Sequence, residues 1–263
     1  MLGGKNTKPL GYTIVEIMVV LAVSGVMFLI AATFINGKQA KAAFTAGVNE
    51  TSSELQDLIE QVNDGRYSDI PQTCQYNGSI SFPGSATKQG ENSTCVFLGK
   101  VLHFTGGANP PYNNYEVASI AGGRINPSTG QPITDVGSAS PTIIPDLTID
   151  KQVPQQLDVS QVTVTDTDNS VFSTLALGFM QSQGSISSSG NLRSGAQTIS
   201  LYALKGSPGN KGSALSTLGD LRPVSSADIC LGDGTRKADI GVGTDNSSQL
   251  NVNITIGTTT QCP

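Results

Sequence analysis

The chain has 263 residues, a formal charge of −5, 13% charged residues, 30 glycines and no tryptophan. An acidic balance this thinly charged argues against general nucleic-acid binding, which needs basic patches, and suits an exported β-rich domain better than a disordered chain. The length accommodates one leader and one sizeable domain, with no linker that clearly divides the latter.

In chain order, residues 1–11 are short and polar, carry Lys5 and Lys8, and end in Gly11 directly before an apolar run. From Ile17 to Ile35 no residue is charged. At about 1.5 Å per helical residue the run is long enough to cross the roughly 30 Å hydrocarbon core of a bilayer. Beyond it the apolar residues thin to Phe44, Val48, Leu55, Leu58, Ile59 and Val62, the three- and four-residue spacing of an amphipathic helix. No proline lies between Pro9 and Pro71, so the segment predicts one continuous helix of about fifty residues, about 75 Å long. It should end near Asn63, Asp64 and Gly65, where glycine takes the left-handed cap position. The distal stripe is expected to face a sheet, since its heptad is too short and irregular for a homotypic coiled coil.

Glu16 makes the apolar segment more than an anchor. A charge within a membrane span costs on the order of 3 kcal/mol, less near the end, and marks a partner; the plainer reading is a helix-end side chain that reaches the headgroups. Cleavage after Gly11 would give Tyr12 a new amino group four residues before Glu16. One subunit's amine could then neutralise another's carboxylate. A secretory signal peptide, cut near Ala40, Lys41 and Ala42, is the rival; the apolar run is long for it and an early acid unusual.

Gly11, the hydrophobic start Tyr12, Thr13, Ile14 and Val15, and Glu16 resemble the processing signal of type IV prepilins and pseudopilins. The resemblance covers about the first fifth of the chain. It implies a membrane peptidase that cuts after Gly11 and methylates Tyr12, and a Glu16 that docks each subunit into a helical fibre. Tyr12 stands where phenylalanine is commoner, and the proline that many pilins carry in the second half of the span is missing. Gly25 is the one helix-weakening residue in mid-span, so local melting on assembly is expected there. The partners implied are copies or relatives of the subunit, the prepilin peptidase, and an assembly motor with its membrane platform. The implied location is a single pass in the cytoplasmic membrane before assembly and the cell surface afterwards. Loss of the leader takes the charge from −5 to −7.

Downstream, strands are predicted at residues 95–104 and 115–120, the second after the turn signals of Gly106, Gly107, Pro110 and Pro111. Residues 121–157, rich in Pro, Gly, Ser and Thr, read as a long surface excursion with one short strand at 142–144. Further strands are expected at 162–164, 171–179 and 198–205. A final meander at 227–231, 237–242 and 250–256 has turns at Gly232, Asp233 and Gly234 and at Asp245, Asn246 and Ser247. The fold class is therefore α+β: a long N-terminal helix, its first half transmembrane, packed on an antiparallel sheet. Strand order and turn-rich loops resemble, loosely, H-type pseudopilins and minor pilins. The segments are a leader (1–11), a membrane and assembly helix (12–35), its amphipathic half (36–64) and an exported β-rich domain (65–263).

Cys74, Cys95, Cys230 and Cys262 all follow the span, and an even number in an exported domain favours disulfides, with three possible connectivities. The local pairing Cys74–Cys95 and Cys230–Cys262 is expected; the second would tie down the C-terminus, as the C-terminal bridge of many pilins does. Zinc spacings are missing, and His103, the sole histidine, sits in an apolar strand, so neither a metal centre nor a catalytic triad is expected and no cofactor is implied. Asp166, Asp168 and Asn169 form the one cluster with hard-cation character, but without the glycine and closing glutamate of a full calcium loop. The reading is a non-enzymatic fibre subunit. Its alternative is a membrane-anchored binding protein or adhesin that acts through residues 121–157 and does not polymerise.

Overall fold

A computed structural model describes residues 12–64, 74–82, 94–105, 110–181, 199–204, 221–244, 250–257 and 262. Gly11, Gly65, Pro71 and the turn residues Gly106, Gly107, Asp245, Asn246 and Ser247 lie outside the described residues. The chain divides into two compact units, residues 1–45 and 46–263. One α-helix, α1 (Ile14–Asn63, 50 residues), runs through both, as the absence of proline predicts. Within the first unit the stretch Ile14–Ala31 has a mean hydropathy of 2.6. By length and composition it is sufficient to cross a membrane, and its large apolar side chains are exposed.

The second unit is an antiparallel sheet domain with the distal half of α1 packed on it. The strands are β1 (Gln75–Tyr76), β2 (Ile80–Ser81), β3 (Cys95–Thr105), β4 (Asn114–Gly123), β5 (Thr142–Gln152), β6 (Asp158–Asp166), β7 (Val171–Ser173), β8 (Ala176–Gln181), β9 (Ile199–Leu204), β10 (Leu221–Gly232), β11 (Lys237–Thr244) and β12 (Leu250–Ile256). They hydrogen-bond in the order β12-β11-β10-β9-β8-β3-β4-β5, with β6 on β10 and β7 on β6. β10 joins two regions: Leu221–Pro223 pair with β9, and the rest of the strand runs between β6 and β11. β10, β11 and β12 form the expected C-terminal meander.

The amphipathic stripe is what seats the helix. Val48, Leu55, Leu58 and Val62 are buried and Ile59 is half-buried. Thr51, Leu55 and Leu58 line one narrow cavity with Leu102, Phe104, Tyr115 and Val153. Thr51 satisfies its buried hydroxyl by donating to Gly47 O at 2.9 Å. Gly47 lets the helix pass close to Leu157: a Cβ there would lie 2.8 Å from Leu157 Cδ1. The opposite face of the sheet is closed by Leu98, Val101, Ile120 and Met180 with Ile133, Val136 and Ala139.

Two expectations change, and one element is new. Residues 121–157 are a surface excursion only over 124–132, which are exposed; beyond them Ile133, Val136 and Ala139 enter the core and β5 pairs along β4 from Thr142 to Gln152. Pro145 is tolerated because Ile143 and Thr148 flank a register shift in the pairing of β5 with β4, and β5 is an edge strand. The run 171–179 is two strands: β7 pairs with β6, whereas β8 lies between β3 and β9. Thr174 makes the break, its hydroxyl donating to Leu204 O at 2.8 Å and its N–H to Val162 O at 3.0 Å. The β1–β2 hairpin, turning through Asn77 and Gly78 (φ +89°), is an element the sequence reading lacks.

Candidate functional site

The helix start is built by Thr13. Its hydroxyl accepts the Glu16 N–H at 3.3 Å, while Glu16 Oε2 accepts the Thr13 N–H and the Thr13 hydroxyl, both at 3.0 Å. This is a reciprocal capping box, in which an N-cap threonine and a glutamate three residues on satisfy two backbone donors that the helix itself leaves open. The pattern Thr-x-x-Glu is itself the sequence signature of such a box. Glu16 therefore has a partner within its own chain, and the bonds fall on one of its two oxygens. The N–H that Thr13 uses belongs to the Tyr12–Thr13 peptide, so a chain beginning at Tyr12 keeps the box. Tyr12 itself is 84% exposed. Ser24 donates to Val20 O at 2.7 Å and to Leu21 O at 3.1 Å, which hides its hydroxyl from an apolar medium. Gly25 leaves the helix unbroken.

In the sheet domain a row of polar side chains clamps α1 to the strands. The Tyr115 hydroxyl donates to Glu54 Oε2, and Lys151 Nζ lies 3.0 Å from Glu54 Oε1. Two turns on, Lys100 Nζ donates to Gln61 Oε1, and Gln61 Nε2 donates to Asp57 Oδ2 at 2.6 Å. Burial lowers the Lys100 ammonium from its ordinary range, Asp57 pulls it back up, and Lys151 lowers it further. Gln181 closes the row on Val62 O. His103 is buried beside Glu116, its register partner on β4, at 3.4 Å.

The cysteines close Cys74–Cys95 and Cys230–Cys262, with Cα separations of 6.0 and 5.4 Å. Such bridges persist in oxidising, extracytoplasmic compartments. Asp166 and Asp168 stabilise their own turn: Asp166 Oδ1 accepts the Thr167 N–H at 2.6 Å, and Asp168 Oδ1 accepts the Ser170 N–H at 2.8 Å. Asn169 supplies the positive φ of +65°. Cys230, Asp239 and Cys262 gather their potential ligand atoms within 4.8 Å, but both sulfurs belong to the disulfide. The chain matches no family profile, no curated protein and no solved structure.

Proposed function

We propose that this chain is a structural subunit of a type IV pilus-like fibre, a pilus or a pseudopilus, cleaved after Gly11 and assembled through its N-terminal helix. One observation carries the reading. A single unbroken helix is bare and apolar over Ile14–Ala31, opens on the lone carboxylate Glu16, and continues into a stripe buried against a disulfide-bonded sheet. The apolar half serves as a membrane reservoir and then as the fibre core; the polar sheet domain faces outward. Peptidase, motor and platform act on it, and related subunits pack beside it. A membrane-anchored adhesin that does not polymerise would need neither Gly11 nor Glu16; of its expected binding segment, residues 121–157, β5 is taken up in the sheet while residues 124–132 stay exposed.

The test is the intact mass of the protein isolated from its own cells. A mature chain that begins at Tyr12 with one added methyl group supports the reading. An N-terminus at Met1 or near Ala43 rejects it.

A further inference from the structure

The C-terminal bridge has a chemical neighbour that a structural disulfide does not need. β10 and β11 place Cys230 directly opposite Asp239, and Asp239 Oδ1 lies 4.0 Å from Cys262 Sγ. Asp239 is 5% exposed, and its sulfur neighbours Cys230 and Cys262 are buried with it. Among the described residues no hydrogen-bond donor meets this carboxylate, although burying one without a donor is costly. The groups around it do not neutralise it. Asp228, two residues before Cys230 on β10, adds negative charge; Lys237 on β11 is exposed. β12 offers the uncharged Thr255 opposite Asp239, and β6 offers Gln161 opposite Cys230.

We propose that Cys230, Cys262 and Asp239 form a dithiol–carboxylate centre, in which Asp239 accepts the thiol protons as the bridge is made by exchange with a disulfide-bearing oxidant. Burial, and then the charge of Asp228, push the Asp239 carboxyl up to about 6. That brings its basicity closer to that of a thiolate and makes the transfer less uphill. Cys262, the less buried of the two cysteines, reacts first. Its S–H proton passes to Asp239 while Sγ attacks one sulfur of the oxidant R–S–S–R′; the oxidant's S–S bond breaks, and R′S⁻ leaves with the proton that Asp239 held, which restores the carboxylate. Cys230 gives its proton to the same carboxylate and attacks Cys262 Sγ. The protein disulfide forms, the mixed disulfide breaks, and RS⁻ leaves and is protonated. In sum two protein thiols lose two electrons and two protons, and one disulfide becomes two thiols.

The second bridge is an internal control, since among the described residues no such cluster surrounds Cys74 and Cys95. The reduced full-length protein in detergent is mixed with excess oxidised glutathione between pH 5 and 8. Acid quenching, alkylation and peptide mapping then time each bridge separately. Closure of Cys230–Cys262 should rise through pH 6 and level off, while closure of Cys74–Cys95 rises about tenfold per pH unit with its thiolate fraction. Asp239→Asn should slow Cys230–Cys262 about tenfold at pH 7, give it the steeper slope, and leave Cys74–Cys95 unchanged. If the variant closes neither bridge, the profile of the unaltered chain decides alone. Parallel profiles for the two bridges in the unaltered chain, or a wild-type rate in Asp239→Asn, would overturn the proposal.

Discussion

Replacing Tyr115 by Phe isolates one bond of the clamp between α1 and the sheet. The ring stays buried and keeps its tilted contact with Phe104, centroids 6.5 Å apart. What is lost is a hydroxyl that donates to the carboxylate of Glu54. Bonds to charged acceptors contribute about 1.5–3 kcal/mol. Glu54 is 30% exposed and retains Lys151, which points to the low end, about 1.5 kcal/mol at neutral pH. The effect should also depend on pH. Burial first, then the hydrogen bond to Glu54 and its charge, hold the Tyr115 phenol well above its ordinary range. A folded-state value above the unfolded one means the contribution is complete below about pH 10 and falls by about 1.4 kcal/mol per unit above it. The gap between wild type and Tyr115→Phe should therefore close near pH 11. Lys100, which shifts downward, and Tyr112 and Tyr202, which shift upward, titrate in both proteins and cancel in the difference. Urea unfolding of the full chain in detergent, followed by circular dichroism at pH 7 and at pH 10.5, measures the gap. Equal stability at pH 7, or a gap that stays constant with pH, would refute the clamp.

The glycine at the β3 bulge should resist any side chain. A Cβ on Gly99 would lie 2.0 Å from Phe179 O, so Gly99→Ala must part β3 from β8 and should cost about 3 kcal/mol; an unchanged thermal midpoint would contradict the packing. Removing the C-terminal bridge with Cys230→Ser and Cys262→Ser releases a loop of sequence separation 32. The chain-entropy relation gives about 3.7 kcal/mol, read as a lower urea midpoint, and a variant as stable as the oxidised parent would show that the bridge constrains nothing. In the oxidised chain Asp239→Asn should stabilise the domain at pH 7. The carboxyl is pushed up to about 6 from 3.8, so the native state disfavours its ionisation by at most about 3 kcal/mol above pH 6 and by nothing below pH 3.8. A gain that persists at pH 3.5 would refute that assignment.

Periodicity made the helix legible. A charge-free run followed by a stripe at three- and four-residue spacing specifies α1 without knowledge of its partner; β3 and β4 announce themselves as apolar runs and β12 as an alternation. Composition misled where pairing decided: residues 121–157 look like a loop by their Pro and Gly content, yet β5 within them is held by backbone bonds that ignore side-chain type. The break at Thr174 was hidden because the apolar residues on either side belong to different strand neighbours. Glu54 with Tyr115, and Lys100 with Gln61, are 61 and 39 residues apart, so no local pattern could have joined them. The capping box is different: Thr13 and Glu16 are three residues apart, so it is legible locally, and the same carboxylate serves two readings, an intersubunit charge and an intrachain cap.

That dual role selects the variant for the decisive measurement. Glu16→Ala would remove both the fibre contact and the capping box, whereas Glu16→Gln keeps a side chain that a capping box accepts and removes only the charge. The measurement is the distribution of wild-type and Glu16→Gln protein between sheared surface fibres and membranes, with each band checked for cleavage after Gly11. Burying the Tyr12 amine of an incoming subunit without a counter-charge costs on the order of 3–5 kcal/mol. The account thus predicts wild type in fibres, and Glu16→Gln protein that is processed yet confined to membranes. Glu16→Gln protein in fibres at the wild-type level would mean that Glu16 does no more than cap its own helix.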